Sequence, residues 1–421
     1  MLKAAALSLL VLANLSALAA GGGDAARLNI LVSGTQKHID LVSGWLKVDP
    51  VTIYSVIPSR AKDTGWSTRE IQRFVRIYFP RSYEELIEYD YMMLLDIEIY
   101  SFSNKQQRML HDSIHDDGLG GLQTRSVMSM HTGISIPWAD SVLSDAFPND
   151  ADAVVAIDYR LHGLPMRVVI NSNPNVPDVL RPYKELPGCE CSFGIYGTNL
   201  AIPKAGTVVT SYSVGPYDYG YPGIYPDPGF EEKGWIPHSM YWEYGNGTTW
   251  THQDMIVQHN YWSTAFNPYA PDMVVAEILF STGRKLPQDV VQAHRLRVKF
   301  MDYDSAKGLL FSVLDFVDRF GANSDPILNS MAEISVEVGK AEDRYLEGYY
   351  LESWEIMNRA LSDIQGLNER SLELKDRALL WVYVTEWLAV SGVFLLASYS
   401  IWTLMIRRRI YREVETTRLV G

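Results

Sequence analysis

The residues best suited to chemistry gather in one stretch, where Trp242, Trp250, His252, Asp254, His259 and Trp262 surround the turn Gly245-Asn246-Gly247. Indole faces supply apolar area while imidazole and carboxylate groups fix orientation, so this set is the expected binding site for a sugar or another flat polar ligand. The same residues also suit the core of an irregular subdomain that packs aromatics for want of regular structure. Two further sets compete. His111 and His115 stand one helical turn apart beside Asp112, Asp116 and Asp117, a carboxylate and imidazole pattern of the kind that holds zinc. A third ligand is not in view, and the stretch reads equally as the solvated side of an amphipathic helix. The two cysteines, Cys189 and Cys191, are too close in sequence for an unstrained bridge. Free thiols or one local bond in a loop are expected there, with a metal pair or redox switch as the alternative. No cofactor or metal is assigned.

These side chains need a scaffold, and its beginning is regular. Residues 28–33 form a short apolar run closed by Gly34 and followed by a helical pattern through Leu46. The unit repeats with a strand at 51–57, Ser67 as N-cap and Ile71, Phe74, Val75 and Tyr78 at helical spacing before Pro80. A third strand at 91–97 leads to a helix over 105–117, with Leu110 and Ile114 on its buried face and Gly118 at its end; a fourth strand is expected at 125–130. Strands alternating with helices predict a doubly wound, mainly parallel α/β sheet. Beyond it, 154–159 and 166–170 flank Leu161-His162-Gly163-Leu164 and read as a β-hairpin. Residues 171–271, rich in Pro, Gly and aromatics, read as an irregular β insertion.

The third unit carries a resemblance. Tyr89-Asp90-Tyr91-Met92-Met93-Leu94-Leu95-Asp96, then Asn104-Lys105-Gln106-Gln107, then Asp117-Gly118-Leu119-Gly120-Gly121-Leu122 is similar to the class I glutamine amidotransferase-like superfamily, over roughly residues 28–140. The resemblance implies a flavodoxin-like fold and, in active members, a cysteine on a tight turn after the fourth strand. Here Ser129-Met130-His131-Thr132-Gly133 occupies that stretch, so His131 is the degenerate nucleophile position. Without a thiolate there is no acyl intermediate, and the resemblance implies a domain without glutaminase activity.

The two ends set an address. Residues 387–406 run without a charge and stop against Arg407, Arg408, Arg409 and Arg412, long enough for one C-terminal transmembrane helix with its tail in the cytoplasm. Lys3, the apolar run 4–12 and Ala17-Leu18-Ala19-Ala20 read as a signal peptide over 1–20. Glu386, at the outer end of the span, can reach headgroups or pair with a partner. Between the ends, residues 27–320 are expected as an exported α/β domain and 326–377 as a helical-hairpin stalk. The stalk's seam is Leu346, Tyr350, Trp354, Met357, Leu361 and Ile364, interrupted by Gly366. The span covers 378–406 and the basic tail 407–421. With 47% hydrophobic and 21% charged residues the chain has the makings of a core, and a net charge of −13 disfavours nucleic acid as a partner. Asn246-Gly247-Thr248 is a glycosylation sequon on an exported loop. The expected role is a membrane-anchored extracytoplasmic protein that binds a glycan or protein partner. The alternative is an extracytoplasmic hydrolase, metal-dependent or not, acting on a glycan or amide.

Overall fold

The computed structural model describes residues 27–61, 65–124, 138, 140–150, 155–156, 165–194, 199–200, 202–214, 235–257 and 260–418. The signal-like start, the strand expected at 125–130, the loop at 161–164, His131 and His259 lie outside these residues. The chain divides into two units, residues 1–298 with 342–353, and residues 299–341 with 354–421.

The first unit opens with β1 (Leu28–Gly34), α1 (Gln36–Val48), β2 (Thr52–Pro58), α2 (Thr68–Tyr78), α3 (Tyr83–Leu86), β3 (Tyr91–Leu95), α4 (Asn104–Asp117) and β4 (Gly120–Thr124). Local signals account for the helix starts. Ser67 and Ser103 each accept a backbone N–H at the third helical residue, whose Glu70 or Gln106 side chain reaches back to the serine N–H. Alternation along the strands then sorts the core. Ile30 and Val32 join Ile39, Val42 and Leu46 of α1, whereas Leu31, Met92 and Leu94 join Ile71 and Val75 of α2 and Leu110 and Ile114 of α4. Helices on opposite faces of neighbouring parallel strands make the sheet doubly wound at this end.

The remaining strands are β5 (Val155–Ala156), β6 (Pro165–Ile170), β7 (Ser192–Gly194), β8 (Asn199–Leu200), β9 (Val208–Val214), β10 (Trp235–Tyr244) and β11 (Gly247–His252), followed by α5 (Ala270–Ser281). The main sheet has nine strands in the order β2-β1-β3-β4-β11-β10-β9-β6-β7. The five from β2 to β11 are parallel, and the next four add antiparallel. The fold is therefore mixed α/β, and three expectations change. Residues 171–271 do not form a separate insertion, because β9, β10 and β11 extend the same sheet. The expected hairpin is absent among the described residues: β5 pairs with β8, and β6 with β9 and β7. Gly120 and Gly121, which precede the strand expected at 125–130, themselves lie inside β4, where a Cβ at Gly120 would sit 2.4 Å from the Tyr91 ring. That glycine serves close packing against β3.

Three long helices follow, α6 (Val290–Asp318), α7 (Asp325–Leu346) and α8 (Tyr350–Arg418). Where α6 begins in the first unit, the buried Arg297 donates to Asp49 at 2.7 Å, pairs with Asp272 of α5, and shares Asp49 with Tyr345 of α7. In the second unit the helices run up, down and up. Tyr303 and Ser335 meet between α6 and α7, and Asn368 of α8 donates to the Ala306 carbonyl of α6 at 3.2 Å. The hairpin stalk expected from Gly366 is thus corrected: α8 passes through Gly366 without a turn, and α6 and α7 are its companions. One interior glycine costs a helix only about 1 kcal/mol, too little to break 69 residues. Of the expected seam, Met357, Leu361 and Ile364 are buried and Trp354 is half-buried.

A Cβ at Gly366 would meet nothing within 4 Å. Gly366→Ala should therefore stabilise the chain by about 0.5 to 1 kcal/mol in thermal unfolding of the detergent-purified protein. A loss of stability would point to a turn at this position.

Candidate functional site

A row of paired residues crosses the sheet where the parallel strands end: Pro58, Gly34, Leu95, Thr124, His252, Ser239 and Ser211. Immediately beyond it the chain leaves the strands with Ser59, Thr35, Asp96 and Gln253. This edge is where ligands of open α/β sheets bind, at the point where the strand order reverses. With α1 and α2 on opposite faces, that point lies between β1 and β3. The two strands approach so closely that a Cβ on Gly34 would lie 2.2 Å from the Leu95 carbonyl oxygen.

Asp96 stands at that point with φ +55°, the one positive-φ residue other than glycine among the described residues. Aspartate tolerates this left-handed conformation better than most side chains, and strained residues cluster where ligands are held. Its Oδ2 pairs with the Arg60 guanidinium and accepts from Thr35 Oγ1 at 3.2 Å, while its own N–H donates to Thr124 Oγ1 at 2.9 Å. Its Oδ1 is buried without a hydrogen-bond partner, as is the Ser59 hydroxyl. Arg60 Nε also faces Glu98 at 3.7 Å. At the rim Tyr100 is half exposed, and its hydroxyl is pushed up to about 12 by partial burial and then by Glu98. Thr35 begins α1 without capping it, because its hydroxyl is committed to Asp96.

Farther along the row lies a second polar group, closed to solvent. His252 Nε2 meets the Glu277 carboxylate of α5 at 2.8 Å, and Ser239 Oγ donates to the same carboxylate at 3.2 Å. His238 Nδ1 is 3.1 Å from Ser211 Oγ, and its Nε2 is 3.3 Å from Asp254. Both imidazoles lie nearly parallel to the Trp262 indole, His252 at 4.3 Å between ring centres and His238 at 5.6 Å. Hydroxyl, imidazole and carboxylate in series are the parts of a nucleophilic triad. Here each of these side chains is buried, so the arrangement serves first as a polar brace between sheet and helix.

The structure thus brings together three of the six residues singled out in sequence, His252, Asp254 and Trp262, and sets Trp242 and Trp250 apart from them, while His259 lies outside the described residues. Trp250 is core, its N–H donating to Ser281 Oγ at 2.8 Å. Trp242 lies on the opposite face of the sheet, half-buried, donating to the Ala146 carbonyl at 3.1 Å with Lys204 Nζ 4.9 Å from its ring. On α4 the His111 and His115 rings stack on each other at 6.4 Å and both meet Tyr244 of β10 edge-on, and no cluster of three His, Cys, Asp or Glu side chains suited to a metal occurs among the described residues. Asn246 is exposed at the β10–β11 turn, its amide donating to the Asp116 carbonyl at 2.6 Å. Sequence reasoning passed over Glu277, His238, Ser211 and Arg60. Glu277 did leave a signal, as the one carboxylate inside the apolar run 273–280.

No family model and no curated protein matches the chain. Among solved structures it is similar to the cytoplasmic protein STM3548 from Salmonella typhimurium, with 16% identity, TM-score 0.42, and coverage of 60% of this chain and 99% of that one. A second is the cytoplasmic protein STM1381 from Salmonella typhimurium LT2, with 15% identity, TM-score 0.40, and coverage of 61% and 98%.

Removing Glu277 strands His252 and Ser239 in the core. Glu277→Ala should cost about 3 to 5 kcal/mol in chemical unfolding, more than an exposed carboxylate such as Glu243 in parallel. Equal effects at the two positions would refute the brace.

Proposed function

We propose that this chain is a membrane-anchored binding protein whose exported α/β unit takes a polar, hydroxyl- or amine-bearing ligand at the carboxyl ends of β1 and β3. One observation carries the binding half: at the reversal of strand order, Asp96 combines a strained backbone, near-complete burial and an unpartnered carboxylate oxygen. A buried acceptor without a partner costs about 1 to 3 kcal/mol, which a donor on a ligand would recover. A glycan is the first candidate. Thiol catalysis is disfavoured, because burial pushes the Cys189 thiol up to about 12, far from a nucleophilic thiolate. The anchor is α8, which between Tyr350 and Tyr411 holds an 18-residue window of mean hydropathy 1.8, long and apolar enough to cross a membrane and with 0% of it buried. The signal-like start and the arginines after Ile406 favour an α/β unit outside and a tail inside.

A hydrolase is the second reading, favoured by the series Ser211, His238 and Asp254. Its discriminating mark is turnover of p-nitrophenyl acetate that Ser211→Ala abolishes.

Two outcomes are expected. Protease added to intact cells should remove the α/β unit and spare a short anchored fragment; a protected unit would reverse the topology. In thermal unfolding of the purified full chain against glucose, N-acetylglucosamine and glucosamine, at least one sugar should raise the melting temperature. Ser59→Ala should leave unliganded stability within about 0.5 kcal/mol yet reduce the sugar's contribution by about 1 kcal/mol. The absence of any shift across the three sugars would sink the glycan assignment.

A further inference from the structure

The second unit carries exposed aromatics that its own packing does not use. Along α6, Leu310, Leu314 and Val317 are buried, while Leu309 and Phe316 on the helix and Phe320 just past its end are 54, 37 and 44% exposed. Phe316 and Phe320 touch each other, with ring centres 4.8 Å apart, at the end of the helical hairpin where Gly321 turns the chain toward α7. Singly exposed phenylalanines are ordinary, but a contacting pair at the tip of a hairpin is a patch that calls for a partner.

The register of the helices indicates which partner. Because α6 and α8 run parallel and Asn368 meets Ala306, counting the same rise along both brings Phe320 level with about residue 382 of α8. That level is where α8 changes character. Ala378 is the last buried side chain on it, and from there Leu380, Trp381 and Tyr383 are each more than 60% exposed at the head of the apolar stretch. The hairpin therefore ends where the span begins. The layer of headgroups outside the hydrocarbon core is about 5 to 7 Å thick and favours aromatic rings.

We propose that the α6–α7 tip is a second membrane contact, in which Phe316 and Phe320 insert into the lipid interface beside the span. Arg319, exposed between them, pairs with the equally exposed Asp315 at 2.6 Å, an ion pair at the same level as the rings. The inference rests on the reading of α8 as the anchor. Lipid is favoured over another protein because the pair lies at the level where the exposed apolar surface of α8 begins. Such a contact would hold the three-helix unit upright on the bilayer, where one span alone would let it tilt.

Nitroxide labels test it in the full chain, placed by Phe320→Cys, Val336→Cys or Leu396→Cys in a Cys189→Ala, Cys191→Ser background and reconstituted in vesicles of phosphatidylcholine and phosphatidylglycerol. Val336 is exposed on α7, about 25 Å from the tip, and serves as the aqueous reference. Collisions with oxygen relative to a water-soluble nickel complex should be several-fold higher at 320 than at 336, and highest at 396. An aqueous label at 396 would defeat the anchor reading and this inference with it. Lipid exposure at 396 with an aqueous 320 would overturn the tip contact alone. Shielding of 320 from both reagents would mean a protein covers the tip, and would also overturn it.

Discussion

The Glu277 carboxylate is the interaction on which the rest of the first unit depends. It is fully buried on a helix whose other buried carboxylate, Asp272, is paired with Arg297, and such a charge is tolerable only when its oxygens are occupied. Its partners come from two strands of opposite sense, His252 at the end of β11 and Ser239 on β10. One side chain thus ties α5 to the seam between the parallel and antiparallel halves of the sheet. It also fixes the rotation of α5, since only one face can bring Glu277 to His252. Met273, Val274 and Ile278 then meet the core beside Trp250 and Leu122 as a consequence.

With the seam fixed, the carboxyl edge acquires two kinds of polar group. Both hold buried polar atoms without hydrogen-bond partners: His252 Nδ1, the Gln253 amide and Trp262 Nε1 in the stretch around Trp262, and Asp96 Oδ1 and the Ser59 hydroxyl in the stretch around Asp96. An orphaned atom therefore does not by itself tell a brace from a site. Asp96 adds a left-handed backbone and a position where the strand order reverses, and these two features support the ligand site proposed at the junction of β1 and β3.

The early part of the fold was legible because its signals are local. Ser67 and Ser103 mark their helices by caps, and apolar alternation gives β1, β2 and β3 within a residue or two. What failed to show was long-range. The glycines of β4 look like a turn, since nothing in the sequence reveals that Tyr91 lies across from Gly120. The pairing of β11 with β4 joins residues more than a hundred positions apart, so the aromatic-rich region looked like an insertion. Composition alone gave the residues of the brace a functional look, because His, Asp and Trp serve a core network and a binding cleft equally well. Asp96 was visible within the third-unit motif, but its backbone strain belongs to the fold.

The continuity of α8 has a geometric consequence. Because no turn interrupts it between the packed positions Met357 to Ala378 and the apolar stretch beyond Leu380, the two portions share one helical phase. Each residue advances that phase by about 100° and the axis by about 1.5 Å. With α8 as the proposed anchor, the azimuth of the three-helix unit about the membrane normal is encoded in a residue count. A single inserted residue near Arg377 would swing the unit by more than a quarter turn while barely lifting it. Seven inserted residues would return it close to its original bearing about 10 Å farther out.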